Sequence, residues 1–209
     1  MADGDPGYRR RHDREADVAR HARASEKPTT PRRYHRCVTT VNLEIERKFR
    51  LRAAPSAAVL AAHDAVARQL EQVYLVADPS QADRVRRITD AAGVVTYRHT
   101  VKRKVGAFSF DERETPIDET AWTEALRRAD PARRPVRKTR FVVAHGDQTL
   151  EIDVFEYPAD LVVVEVELRH ETEAVALPAW LGEWREVTGD PQYLNASLAR
   201  PDAAIPPFG

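Results

Sequence analysis

Apolar and polar residues alternate through most of the chain from Leu43 onward, with the two-residue period of strands that have one buried face. The alternating runs are 42–51, 72–77, 83–89, 94–104, 107–117, 136–145, 148–156 and 161–169, which predicts about eight strands. Ala91-Ala92-Gly93 and His145-Gly146-Asp147 separate paired runs and predict hairpin loops, hence antiparallel neighbours. Helical spacing interrupts the alternation. Residues 55–71 are Ala-rich, with Val59, Leu60, Val66 and Leu70 on one helical face, and 118–128 open on Asp118, a capping residue. Residues 178–187 and 191–199 each begin with a proline, which a first helical turn tolerates, and predict two further helices.

The polar faces are charged in an ordered way. In the first strand Glu44, Glu46 and Lys48 share one face, while Leu43, Ile45, Arg47 and Phe49 share the other. Taken alone this is the solvated side of a sheet. The pattern repeats, however: Glu112 with Glu114, Glu151 with Asp153, and Glu165 with Glu167 are in phase on their own strands. Basic residues follow the same rule in Arg84 with Arg86, Arg98 with Lys102 and Lys104, and Lys138 with Arg140. Arg87 and His99 fall out of phase and are expected outside.

If about eight strands close into a barrel with these faces inward, the interior holds charge and the aliphatic faces point out, to be covered by helices. Such an inverted barrel costs too much desolvation to exist without a charged ligand. Rows of Arg and Lys match a polyanion, and crowded carboxylates call for divalent cations. Oxygen-only donors suit Mg²⁺ or Mn²⁺. The combination describes a metal-bound polyphosphate.

Composition narrows this further. The 209 residues fit one domain with a core of its own. Thirty-three basic residues balance 33 acidic ones, which argues against a general nucleic-acid binder held by bulk positive potential, and no specific nucleic-acid partner is expected. Cys37 is the only cysteine, so no intramolecular disulfide forms and a reducing cytoplasm is the expected location. No run approaches the ~20 apolar residues of a membrane helix, and no membrane partner is expected. Residues 1–40 carry nine arginines among few aliphatic residues and are expected to be a disordered, mildly basic tail, or to precede the true start. The tunnel domain is expected over 41–200 and a coil over 201–209. Trp122, Trp180 and Trp184 fall in the predicted covering helices.

From about Leu43 to Leu198 the chain resembles the CYTH superfamily, the triphosphate tunnel metalloenzymes, and most closely its short bacterial tripolyphosphatase-like members. The Glu44-x-Glu46-x-Lys48 strand carries the likeness, with Gln72-Val73-Tyr74-Leu75, Arg84-Val85-Arg86, Thr100-Val101-Lys102, Arg113-Glu114, Lys138-Thr139-Arg140, the 150–155 run, 164–167 and Tyr193-Leu194-Asn195 following in order. Ala196 and Ser197 follow Asn195 where some related members have Lys.

The resemblance implies an α+β, mainly β fold: an eight-stranded antiparallel closed barrel with helices outside and a C-terminal plug helix. It implies a triphosphatase acting on a small-molecule substrate, inorganic tripolyphosphate first, with Mg²⁺ or Mn²⁺ as cofactor. The alternatives are nucleoside or thiamine triphosphate hydrolysis, a class IV adenylate cyclase-like reaction, or a non-catalytic polyphosphate sensor. Carried over by position, Glu44, Glu46, Asp153, Glu165 and Glu167 would hold metal. Lys48, Arg84, Arg86, Lys102, Lys138 and Arg140 would bind phosphate, with Lys48, Lys102 and Glu165 closest to the chemistry. A homodimer is compatible with this reading.

Overall fold

The computed structural model describes residues 40–107 and 109–208, with side chains from Leu43 onward. Residues 1–39 of the expected basic tail lie outside the described residues, and Thr40 begins the first strand.

Eight strands form a closed antiparallel barrel: β1 Thr40–Leu51, β2 Val66–Tyr74, β3 Ala82–Asp90, β4 Val95–Lys104, β5 Ser109–Ile117, β6 Val136–His145, β7 Gln148–Phe155 and β8 Val162–Glu167. Their order around the barrel is β5-β4-β3-β2-β6-β7-β8-β1, and β1 closes it. The first half of β1 pairs with β5, from Thr40 opposite Glu114 to Ile45 opposite Ser109. Its second half pairs with β8, from Glu46 opposite Glu167 to Leu51 opposite Val162. A ninth short strand, β9 Trp184–Glu186, adds to β1 at Phe49–Leu51.

The two predicted hairpins form. Gly93 and Gly146 take positive φ, 82° and 63°, which a glycine adopts without steric cost. Asp90 Oδ1 accepts from the backbone N–H of Ala92 and of Val94, both at 2.9 Å, and fixes the first of these turns.

Two segments depart from the sequence reading. The expected 55–71 helix is a six-residue helix α1, Ala57–Ala62, capped by Ser56 and stopped where Asp64 turns to φ 52°. Residues 66–74 are strand, because β2 must pair with β3 on one side and β6 on the other to complete the barrel. Ladder bonds along both edges override the helical propensity of that stretch. The two C-terminal helices are also much shorter than expected. Pro178 leads into a 3₁₀ turn over Ala179–Leu181 that ends at Gly182, φ 75°, and Trp184 lies in β9. A second 3₁₀ turn, Pro191–Tyr193, runs into the four-residue helix α3, Asn195–Leu198. By contrast α2, Glu119–Leu126, starts at the predicted Asp118 cap, whose Oδ1 accepts from Ala121 N–H at 2.8 Å.

Apolar packing falls into three places. On the outer face Ile45, Phe49, Ile152, Val164 and Val166 pack with Leu60 of α1 and Leu181. A smaller outer cluster puts Val73 and Val85 against Trp122 of α2. The third lies inside the barrel at one end, where the inward positions Tyr74, Val136, Phe155, Leu161 and Val163 meet Tyr193, Leu198 and Ala199. The plug is therefore apolar and made by the C-terminal segment. Beyond it the inward positions turn charged.

Candidate active site

The inward faces of the strands converge on a cavity of 520 Å³ along the barrel axis. Strand β1 supplies Glu44, Glu46 and Lys48; β3 Arg84 and Arg86; β4 Arg98 and Lys102; β5 Glu112 and Glu114. Lys138 and Arg140 come from β6, Glu151 from β7, Glu165 and Glu167 from β8, and Asn195 closes one wall. The lining holds seven basic and seven acidic side chains. Strand alternation explains why they meet: each is an even step from its neighbour on the same strand, so the pleat turns them all inward.

The charges interlock. Asp153, which is completely buried, receives Arg140 Nε at 2.7 Å and Nη2 at 2.6 Å, and also Lys138 Nζ. Glu165 accepts from Lys48 Nζ with one oxygen and from Arg140 Nη2 at 2.6 Å with the other. Lys102 reaches Glu44, Glu46 at 3.4 Å and Glu112 at 3.6 Å. Arg86 pairs with Glu114, which also takes Thr100 Oγ1 at 3.2 Å, and Arg98 lies 3.5 Å from Glu114.

Protonation follows from these neighbours. Burial opposes the charge of Lys48, but Glu165, Glu46 and Asp153 outweigh it and hold the ammonium above its ordinary value. Burial would raise the Glu165 carboxyl, yet Lys48, Lys138 and Arg140 together keep it well below the usual range. Lys138 is lowered, by burial first and by Arg140 next. Glu167 behaves in the opposite way: burial, then Glu44, Glu151, Glu112 and Glu46, push its carboxyl up. Among the described residues no Lys or Arg lies within ion-pair distance of it.

Among the described residues no three His, Cys, Asp or Glu side chains converge into a metal cage. The donor chemistry still suits a hard divalent cation, because the acids are oxygen donors and Glu167 sits among four others without a basic partner. Mg²⁺ in particular takes one or two carboxylates and completes its shell with substrate oxygens and water. Glu112 Oε2 is buried without a hydrogen-bond partner, its ion pairs to Arg84 and Lys102 both at 3.6 Å. The residues fit a cation that arrives with an anionic substrate.

Of the sequence-predicted site residues, Glu44, Glu46, Glu165, Glu167, Lys48, Arg84, Arg86, Lys102, Lys138 and Arg140 line one cavity. Asp153 does not. Its oxygens are committed to the lining residues Arg140 and Lys138, a holding position for two cations. Lys104 lies in an adjoining space of 300 Å³ that opens from the tunnel beside Lys102 and Asn195 and is lined by Tyr74, Leu75, Pro79 and Phe110. Arg98, Glu112, Glu114 and Glu151 belong to the wall and are signalled by their phase. Asn195 carries no phase signal, since it comes from the plug. Arg87 lies on the outer face, and His99 Nε2 pairs outside the tunnel with Asp83 Oδ1 at 2.7 Å.

The CYTH domain matches residues 42–200. An inorganic triphosphatase of Nitrosomonas europaea is 37% identical over 160 residues, covering 75% of this chain and 96% of that protein. An inorganic triphosphatase of Acetivibrio thermocellus is 34% identical over 131 residues, covering 62% and 78%. The crystal structure of a hypothetical protein superposes with a TM-score of 0.50 at 34% identity, covering 78% of this chain and 99% of that one. Among the described residues no helix is long and apolar enough to cross a membrane.

Proposed function

The chain belongs to the CYTH domain family, and from that premise we propose that it hydrolyses the terminal phosphoanhydride bond of inorganic tripolyphosphate with Mg²⁺ or Mn²⁺. The observation that carries this reading is the balance of the tunnel lining, seven cations against seven carboxylates. A simple anion trap would be basic. A lining already neutral can take up a polyphosphate only with further cations, so substrate and divalent metal would enter together.

Arg84, Arg86, Lys138 and Arg140 would grip phosphate oxygens, with Asp153 and Glu165 fixing the direction of the Arg140 fork. Lys48 and Lys102 would neutralise charge that develops as the terminal P–O bond breaks. Glu44, Glu46, Glu165 and Glu167 would hold the cation. When bound, the cation withdraws charge from phosphoryl oxygens and lowers the pKa of a bound water. No Ser, Cys or His nucleophile is needed. Ion pairing outweighs burial and keeps Lys48 charged and Glu165 ionised, so both retain their roles through neutral pH.

The 300 Å³ side space favours a second reading, because Tyr74, Leu75, Pro79 and Phe110 offer apolar surface for an organic group attached to the triphosphate. Nucleoside or thiamine triphosphate would then be hydrolysed as well. Orthophosphate release from tripolyphosphate, ATP and thiamine triphosphate, with cyclic AMP followed in parallel, separates these readings. Tripolyphosphate turning over fastest supports the first, and faster release from an organic triphosphate supports the second. Cyclic AMP as the main product of ATP overturns hydrolysis.

A further inference from the structure

Residues 201–208 lie beyond the matched 42–200 and form neither helix nor strand, yet side chains from four separate places hold their backbone. Arg134 Nη2 donates to Pro201 O, Tyr157 OH to Ala203 O at 3.0 Å, Arg50 Nη1 to Pro206 O, and Arg185 Nη1 to Phe208 O at 3.3 Å. Ile205 packs on the apolar plug beside Tyr193 and Leu198. The Phe208 ring lies 5.4 Å from the Arg50 guanidinium and 5.6 Å from that of Arg185.

The same two arginines hold the plug. Arg185 Nη2 donates to Tyr193 OH at 2.9 Å and Arg50 Nη1 to it at 3.4 Å. Arg50 is only 9% exposed and, among the described residues, no carboxylate lies within ion-pair distance of it. Among the described residues its charge is offset by the Pro206 carbonyl, the Tyr193 hydroxyl and the Phe208 ring. A buried guanidinium stripped of those dipoles would have to leave its seat. Two residues after Tyr193 stands Asn195, whose Oδ1 is buried without a partner and whose side chain walls both the tunnel and the side space.

We propose that residues 201–208 form a strap that, through Arg50, Arg185 and Tyr193, positions Asn195 in the tunnel wall and so sets how tightly the anionic substrate is held. Asn195 touches the cavity at its plugged end, whereas Lys48, Lys102 and Arg140 are fixed by strand pairing. Loosening the strap therefore weakens substrate binding and leaves the chemical step alone. The kinetic arm of the test rests on the triphosphatase reading; the exchange arm does not.

The test compares the full chain with the Ile205→Ala/Phe208→Ala double variant and with Phe208→Tyr, which keeps the ring. In the double variant, amide exchange at Ser197, Leu198 and Ala199 is expected to quicken by about tenfold or more while β6 and β7 amides stay protected. KM for tripolyphosphate is expected to rise by about fivefold with kcat within about twofold, and Phe208→Tyr to match the unaltered chain. Unchanged exchange at 197–199, exchange that quickens throughout the barrel, or a kcat loss at constant KM overturns the proposal. If the unaltered chain turns over no triphosphate, the functional reading falls and the exchange result alone decides the strap.

Discussion

Arg140 and Asp153 face each other across β6 and β7 and are joined by two bonds, Nε to Oδ1 at 2.7 Å and Nη2 to Oδ2 at 2.6 Å. The pair is what a charged barrel interior needs: a guanidinium that lines the cavity and a buried carboxylate beside it that does not. Asp153→Ala would leave Arg140 and Lys138 buried without that counter-ion. The expected cost is about 3–5 kcal/mol of folding stability, read from chemical denaturation. A loss under about 1 kcal/mol would show that water or other groups compensate.

Glu167 gives a prediction of opposite sign. Its carboxyl is raised by burial and by neighbouring carboxylates. Its contribution to stability is therefore present below the ordinary value of 4.5 and is lost as pH rises through the higher folded value. Without divalent cations, Glu167→Gln is expected to melt higher than the unaltered chain near neutral pH, and the two curves to converge in acid. The variant should also show a smaller Tm rise on adding Mg²⁺ with tripolyphosphate.

Glu165 carries the acid side of the profile. Held well below the usual range by Lys48, Lys138 and Arg140 against the effect of burial, it contributes stability that is present above its ordinary value of 4.5 and lost as pH falls through the folded value. Melting followed from neutral pH downward is expected to show a steeper fall in the unaltered chain than in Glu165→Gln.

Lys48 separates binding from chemistry. Lys48→Met removes the ammonium held between Glu46 and Glu165, and kcat for tripolyphosphate is expected to drop by about 10²–10³, with a smaller change in KM. Loss confined to KM would assign Lys48 to ground-state binding.

Much of this site was legible because strand phase and charge are both local properties. Glu44, Glu46 and Lys48 share a face by the pleat alone, and the same rule found Arg84 with Arg86 and Lys138 with Arg140. What phase cannot tell is depth. Asp153 is in phase with Glu151, yet Lys138 and Arg140 of the cavity lining claim its oxygens, a relationship that exists only once β6 lies beside β7. Residues 66–71 fall in the expected helix because the alanines of that stretch and Leu70 satisfy a helical period, while the demand for a strand there comes from β3 and β6. Asn195 was outside the reach of the phase rule, since its position depends on how the plug folds back over Val163 and Tyr74.

Steady-state orthophosphate release from tripolyphosphate by the full chain, with saturating Mg²⁺ or Mn²⁺ and again after chelation, tests the central claim most directly. Release of one orthophosphate with one pyrophosphate per turnover, abolished by chelation and reduced at least about a hundredfold in Lys48→Met, is the predicted result. No release with either metal, or release that persists unchanged after chelation, would contradict it.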